Sequence, residues 1–268
     1  MWDQRTQNAI PPQIRNILLT TTPVEKILLF DYPHSYELLD SIAAQYGYNA
    51  LLYPEKLPDT GKALYQEALL HKSWQGVYPK LITFLRPVSN DKNAQITLQE
   101  PLFEKIRQGQ VWRIVTPIFL HADILHLFFN MLWVLIIGTQ IEARLGTCKY
   151  IGFIVLIAIF SNTLQYIMCG PAFLGFSGVI CGMVFFIRAR QHVAPWEGYQ
   201  MATATFHFIV FFIGILAGLS TLTFILEFFQ KITLPIQIAN TAHVSGAMIG
   251  WVLGRLKRVF HWENREIQ

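Results

Sequence analysis

The sequence predicts an all-α polytopic membrane protein, with a polar N-terminal segment followed by five apolar helices. The 268 residues are 53% hydrophobic but only 14% charged, whereas soluble domains carry roughly 25% charged residues. The apolar residues concentrate after residue 120, in stretches close to the ~20 residues that cross a bilayer as a helix. Basic residues gather at alternate ends of these stretches. Together the three observations indicate a helical bundle embedded in lipid.

The first part of the chain, residues 1–110, holds most of the prolines and charges. Its best apolar pieces, Ile27–Phe30 and Ala50–Tyr53, are far too short to cross a bilayer. Ser35–Tyr46 and Gly61–Trp74 are predicted to form short amphipathic helices. The polar N-terminus does not resemble a signal peptide. We expect residues 1–110 to form a long outer loop or a small domain.

Five membrane spans are predicted, and the charges between them give their orientation. The spans are 123–138, 150–168, 172–187, 203–226 and 236–254. One set of ends holds seven basic residues, namely Arg144, Lys149, Arg188, Arg190, Arg255, Lys257 and Arg258, whereas the opposite loops hold only Lys231. Because Lys and Arg are enriched in cytoplasmic loops, the first set is expected in the cytoplasm. Trp112 and Arg113, an aromatic beside a cation, fit an interface anchor before the first span.

A serine and a histidine are predicted to meet near mid-membrane. Ser177 lies between Gly175 and Gly178, which leave its hydroxyl accessible. It precedes Arg188 by 11 residues, and His243 precedes Arg255 by 12. At about 1.5 Å per residue, both lie ~16–18 Å above the basic face. Such side chains are costly inside a membrane unless they are used. They are candidates for a nucleophile and its general base, although each alone also fits a structural role.

Other polar and small residues complete this candidate site. His126 and Asn130, four residues apart, share a helix face and are candidate oxyanion donors with the Ser177 N–H; an interhelical hydrogen bond is the alternative for Asn130. Gly178 and Gly182 form one small-residue stripe, and Gly246 and Gly250 form another on the His243 face. If the stripes face each other, the serine and the histidine come within hydrogen-bond reach.

The five spans contain no carboxylate suited to orient His243. Asp123 lies at the outer edge of its span and is expected to be a helix N-cap. A Ser–His dyad is therefore predicted, with packing orienting the imidazole. His121 is expected to be structural. A metal enzyme using His121, His126 and His243 is disfavoured because no H-E-x-x-H motif is present, and no cofactor or metal is expected.

These motifs, taken in order, resemble the rhomboid family of intramembrane serine proteases. The resemblance covers residues 111–258 and is carried by Trp112-Arg113, His121, His126, Asn130, Glu142-Ala143-Arg144-Leu145-Gly146, Gly175-Phe176-Ser177-Gly178, Ala239-Asn240-Thr241-Ala242-His243, Gly246 and Gly250. It implies that Ser177 is the nucleophile and His243 the base, with His126 and Asn130 in the oxyanion hole. It also implies a membrane-interface loop at Trp112 and Arg113, and a structural cytoplasmic turn at Glu142 and Arg144.

The resemblance further implies a partner class and a location. Family members cleave transmembrane helices of other membrane proteins, so the expected partners are such substrates and the lipid bilayer. The expected location is a bacterial inner membrane, with residues 259–268 as a cytoplasmic tail. A net charge of +4 is too small to indicate nucleic acid.

Two features depart from the family pattern. Bacterial members often carry a tyrosine four residues after the serine, stacked on the histidine, and here that residue is Cys181. Phe176 or Phe185 is expected to hold the ring instead. The family core has six spans, so the first is expected to be degenerate within 10–55 or missing. The alternative to a protease is therefore a catalytically impaired rhomboid-like protein that binds membrane helices.

Overall fold

The computed structural model describes residues 21–71, 73–85, 100–229 and 240–256, in which every regular element is a helix. The α-helices are α1 (Pro23–Leu28), α2 (His34–Tyr46), α3 (Asn49–Leu52), α4 (Asp59–Leu70), α5 (Val77–Leu85), α6 (Glu104–Arg107), α7 (Ile124–Trp133), α8 (Thr139–Leu145), α9 (Thr147–Cys169), α10 (Ser177–Val193), α11 (Thr203–Phe228) and α12 (Asn240–Arg255). A π-helical turn, Val134–Gly138, joins α7 to α8. The predicted tail 259–268, together with Lys231, Lys257 and Arg258, lies outside the described residues.

Helices α1 to α4 form a small unit, here called the N-terminal cap (residues 21–71). Tyr36, Leu39, Ile42, Leu51 and Tyr65 form its buried core. The two amphipathic helices predicted from the sequence are confirmed as α2 and α4, although α4 ends at Leu70 and not at Trp74. A capping box fixes the start of α1, because the Thr22 hydroxyl accepts from the Glu25 N–H while the Glu25 carboxylate accepts from the Thr22 N–H.

A buried carboxylate fastens the cap to the rest of the chain. Asp31 is 1% exposed. It accepts hydrogen bonds from the backbone N–H groups of Glu104 and Lys105, both at 3.0 Å, and from the Tyr166 hydroxyl at 2.8 Å. Nearby, Lys105 Nζ lies 2.6 Å from a carboxylate oxygen of Glu37. These contacts tie the cap to α6 and to the C-terminal end of α9.

Arg113, which the sequence predicts to be part of an interface anchor with Trp112, contacts the N-terminal cap. Its side chain is buried, and its guanidinium donates to the carbonyls of Lys26 and Leu29 at 2.9 and 2.8 Å. Its neighbour Trp112 is exposed, and the Trp112 indole N–H reaches the Ile27 carbonyl at 3.4 Å. The pair therefore contacts the cap, which the sequence pattern could not reveal.

Replacing Asp31 by Ala is expected to loosen the cap. The change leaves three backbone N–H groups, those of Tyr32, Glu104 and Lys105, and the Tyr166 hydroxyl without their acceptor, and unsatisfied buried donors cost about 1–3 kcal/mol each. We expect faster cleavage between the cap and α6 in limited proteolysis of the detergent-solubilised protein. Asp59→Ala is the matched control, because the Asp59 side chain is fully exposed. Equal protease resistance of the two variants would contradict the assigned role.

Three helical segments are long and apolar enough to cross a membrane within the described residues: Ile124–Leu145, Thr147–Cys169 and Thr203–Thr223. The first runs from α7 through the π turn into α8. The remaining two predicted spans correspond to α10 and α12, which have 17 and 16 residues. Helix α10 begins at Ser177 and not at residue 172, since residues 170–176 form a loop. The longest cap helix, α2, has 13 residues, which is fewer than the ~20 residues that cross a bilayer.

Helices α10 and α12 pack backbone to backbone at the centre of the bundle. A methyl group added at Gly246 would lie 2.1 Å from the Gly178 carbonyl oxygen, and one at Gly250 would lie 2.0 Å from that of Gly182. The two glycine stripes therefore face each other. Around this pair, Val179, Met183, Phe186 and residues of α9 form the main buried core.

Candidate active site

The Ser177 hydroxyl and the His243 imidazole are in direct contact. Ser177 Oγ lies 2.7 Å from His243 Nε2. Ser177 is the first residue of α10, and His243 lies in the first turn of α12 with 7% of its surface exposed. The sequence-based depth count brought both residues to one level, and the structure places them within hydrogen-bond distance.

The close helix packing sets this distance. A methyl group at Gly178 would lie 3.2 Å from the carbonyl oxygen of Ala242. The residue after Ser177 thus contacts the residue before His243, and neither bears a bulky side chain. Gln165 of α9 supports the start of α12, because its side-chain oxygen accepts the Ala242 N–H at 3.0 Å. The sequence analysis did not predict a role for Gln165. The one feature that could have indicated it is that Gln165 is a polar residue within an apolar span.

His243 carries no carboxylate partner in the part of the chain that the structure describes. Its Nδ1 is buried without a hydrogen-bond partner there. Asp123 instead caps α7, accepting the His126 N–H at 2.8 Å, as the sequence suggested. The arrangement is a serine and a histidine without a third acidic residue.

The expected aromatic support of the His243 ring is not found. Neither Phe176 nor Phe185 forms a ring contact with His243 within the described chain; Phe185 packs against Phe206, with ring centroids 5.2 Å apart. Phe185 lies eight residues after Ser177, which is about two helical turns away. Cys181, at the position where the tyrosine was expected, is buried on α10.

His126 and Asn130 border the same opening as the loop before Ser177. A methyl group at Gly175 would lie 2.8 Å from His126 Cε1 and 3.9 Å from Asn130 Nδ2. Gly175 has φ +114°, a backbone conformation that residues other than glycine rarely adopt. The Asn130 amide nitrogen is buried and has no hydrogen-bond partner among the described residues. It is thus an unpaired donor next to Gly175, two residues before the serine.

The two loops at this opening also contact the N-terminal cap. Leu120 is a buried member of the cap core, and Leu174 packs against it. The Gly175 N–H donates to the Pro117 carbonyl at 3.0 Å, which joins the loops to each other. His121 lies at their edge, with its ring 5.1 Å from that of His126. Burial lowers the pKa of His121 below its usual value, and the nearby His126 acts in the same direction.

The remaining predicted residues serve structural contacts at the basic end of the bundle. Arg144 Nε and Nη2 donate to the carbonyls of Glu197 and Gly198, both at 2.6 Å. A Glu142 carboxylate oxygen accepts the Thr147 hydroxyl proton at 2.9 Å. These contacts connect α8, the start of α9 and the loop before α11. No group of three metal-ligating side chains occurs in the residues searched, which are those described here.

The class defined by these features is a helical membrane bundle in which a half-buried serine contacts a buried histidine. The rhomboid domain model matches residues 108–259, which is more than half of the chain. The chain therefore belongs to the rhomboid family and is an integral membrane protein.

Curated relatives of the same family are bacterial. The chain is 34% identical over 144 residues to the rhomboid protease GlpG of Yersinia pestis (strain Pestoides F), a match that covers 54% of this chain and 47% of the relative. The same figures hold for the rhomboid protease GlpG of Yersinia pseudotuberculosis serotype O:3 (strain YPIII). For that of Yersinia enterocolitica serotype O:8 the identity is 33%. The chain thus matches about half the length of these relatives.

Proposed function

We propose that this protein is an intramembrane serine endopeptidase that cleaves transmembrane or juxtamembrane segments of other membrane proteins. The observation that carries the proposal is the 2.7 Å contact between Ser177 Oγ and His243 Nε2 inside a membrane bundle. A hydroxyl hydrogen-bonded to a neutral imidazole is the arrangement that activates a serine nucleophile. The names of the bacterial relatives support the same activity.

In the proposed reaction, Ser177 Oγ attacks the carbonyl carbon of the scissile peptide bond. His243 Nε2 takes the hydroxyl proton and then gives it to the leaving amine, so that an acyl-enzyme remains. A water molecule, deprotonated by the same imidazole, attacks the ester and releases the new carboxyl end. Each proton that His243 accepts is returned within the same half-reaction, so the enzyme emerges unchanged.

The negative oxygen of each tetrahedral intermediate would meet three nearby donors. The Ser177 N–H lies in the first turn of α10, where backbone N–H groups have no partner within their own helix. The Asn130 amide and the His126 ring border the same space. Preorganised donors at low dielectric are worth about 10²–10³ in rate each.

The site also constrains the substrate and its access. A helical peptide carbonyl is engaged within its own helix, so cleavage needs a segment that unwinds easily, such as one rich in small or helix-breaking residues. Water must reach the serine, and the loops next to it lie at the end of the bundle opposite Arg144, Arg188 and Arg255. We therefore infer five spans with α10 and α12 among them, an outer location for the cap, and a bacterial inner membrane as host.

A second candidate function is helix binding without cleavage. It is favoured by one observation, the unpartnered Nδ1 of His243 together with the absence of a stacked ring in the described residues. An imidazole held by packing alone can lose the orientation that proton transfer needs.

A serine-directed fluorophosphonate probe separates the two candidates. We expect covalent labelling of the purified protein and cleavage of a fluorogenic transmembrane substrate, and we expect Ser177→Ala to abolish both. Ser245→Ala is the matched control: Ser245 is a second serine of the bundle, but it is buried and its hydroxyl donates to the Thr241 carbonyl of its own helix. Labelling or cleavage that survives in Ser177→Ala would refute the protease proposal, and absence of both from the unaltered protein would favour the binder.

A further inference from the structure

An apolar groove lies between helices α10, α11 and α12. It has a volume of about 450 Å³, and the residues that line it include Phe206, Val210, Ile213, Val244, Met248 and Trp251. Several of these side chains, among them Val210, Val244 and Met248, are exposed in the protein alone. Helix α11 packs loosely against the rest of the protein. Only 6% of its most apolar stretch is buried, compared with 39% for α9.

One end of the groove carries cationic side chains. The Arg188 guanidinium lies 5.3 Å from the centre of the Phe206 ring, and that of Arg255 lies 5.1 Å from the Trp251 ring. The ring of His192 approaches Trp251 as well, with centroids 6.4 Å apart. The Phe206 and Trp251 rings, each contacted by an arginine, therefore lie at one end of an otherwise apolar groove, as aromatic and basic residues do at a membrane interface.

These two arginines differ from the others at the same end of the bundle. Arg190 is paired with the Glu197 carboxylate, and Arg144 is engaged by backbone carbonyls. By contrast, the guanidiniums of Arg188 and Arg255 contact aromatic rings and have no hydrogen bond or ion pair to another described residue. Their positive charges are available for a ligand.

The groove is short enough to lie within one leaflet of a bilayer. Val244 and Trp251 are seven residues apart on α12, which corresponds to about 10 Å along the helix. One leaflet contributes about 15 Å of hydrocarbon. A helix about 10 Å wide would occupy roughly 800 Å³ over 10 Å of its length, which exceeds the groove volume of about 450 Å³, so the groove does not enclose a substrate helix or a helix of a second copy.

We propose that this groove binds an anionic phospholipid from the leaflet at the basic end of the bundle. One acyl chain lies between α11 and α12, and the headgroup phosphate lies between the guanidiniums of Arg188 and Arg255. The apolar lining matches the chain, and the two free cations match the phosphate. The site is separate from the Ser177–His243 pair and does not depend on the proposed proteolysis.

Native mass spectrometry of the delipidated, detergent-solubilised full chain tests the proposal. The protein is titrated with dioleoylphosphatidylglycerol and, separately, with dioleoylphosphatidylcholine, which has the same acyl chains. A basic side chain near an anionic lipid contributes about 1 kcal/mol, so two predict a preference of at least about tenfold for phosphatidylglycerol. Arg188→Gln combined with Arg255→Gln should remove that preference, and Val210→Trp, which fills the groove, should weaken binding of both lipids.

Lys149→Gln is the matched control, since Lys149 is an exposed cation at the same end of the bundle, at the start of α9. It should keep the preference. Equal binding of the two lipids by the unaltered protein would overturn the proposal. So would a preference that survives the double arginine variant, or one that falls equally with Lys149→Gln. Assembly into dimers that Val210→Trp disrupts, without retained lipid, would assign the groove to a second copy of the chain instead.

Discussion

Gly250→Ala is expected to destabilise the protein and to reduce proteolysis by about a hundredfold or more, although residue 250 lies two helical turns from His243. The new methyl group would lie 2.0 Å from the Gly182 carbonyl oxygen and 2.6 Å from the Gly182 carbonyl carbon and Cα. All three are backbone atoms, so no side-chain rotation relieves the clash. Helices α10 and α12 must move apart by about 1 Å, and such overpacking costs about 1–3 kcal/mol.

The same displacement would act on the Ser177–His243 contact. A shift of about 1 Å is enough to break a hydrogen bond of 2.7 Å, and misplacement of this size commonly costs about 10² in rate. Thermal unfolding in detergent and cleavage of a fluorogenic transmembrane substrate would measure the two effects. Gly214→Ala is the matched control, because a methyl group on Gly214 of α11 meets no atom within 4 Å. A Gly250→Ala variant as stable and as active as Gly214→Ala would contradict the close packing described here.

His243→Ala is expected to lower the cleavage rate by about 10²–10⁴, the usual contribution of a general base. If His243 Nε2 accepts the Ser177 proton, labelling by a fluorophosphonate should fall along with cleavage, because both need the activated hydroxyl. Substrate binding should change little, so the loss should appear in kcat more than in KM.

His207→Ala serves as the comparison for this experiment. His207 is an exposed histidine of α11, and its removal should leave cleavage and labelling unchanged. If His243→Ala retained rapid labelling, the hydroxyl would be activated by some other group and the dyad proposal would fail.

The apolar helices and the meeting of Ser177 with His243 were accessible from the sequence because they depend on local regularities. Hydropathy marks helices wherever about 20 apolar residues follow one another, and a constant rise per residue converts sequence position into depth. The glycine spacing of α10 and α12 added the close approach. Together these three regularities predict that the serine and the histidine meet.

The attachment of the cap was not accessible in this way. Asp31 meets the backbone of Glu104 and Lys105, and Arg113 meets the carbonyls of Lys26 and Leu29. These partners are far apart in the chain, and several are backbone groups that leave no trace in residue type. Arg113 next to Trp112 therefore matched an interface anchor, while its actual partners were carbonyl groups in the cap.

The contacts of the His243 ring are a second feature that residue type alone does not predict. A phenylalanine was expected to replace the stacking residue at Cys181, but residue type alone does not give the side of the helix on which a ring lies. Phe185 is directed toward α11, where it packs on Phe206. Position along α10, and not aromatic character, decides which ring can reach the histidine.

The shared packing of Leu120 and Leu174 with the cap has a consequence for substrate admission. Leu120 precedes α7 and Leu174 precedes Gly175, so the two loops next to the Ser177–His243 pair belong to one apolar cluster with the cap. If the proposed protease admits its substrate between these two loops, parting them would expose both leucines to water, at about 1.5–3 kcal/mol for each fully exposed side chain. The cap would then impose an energetic threshold on opening, and a ligand that loosened or tightened the cap would change how often a substrate enters.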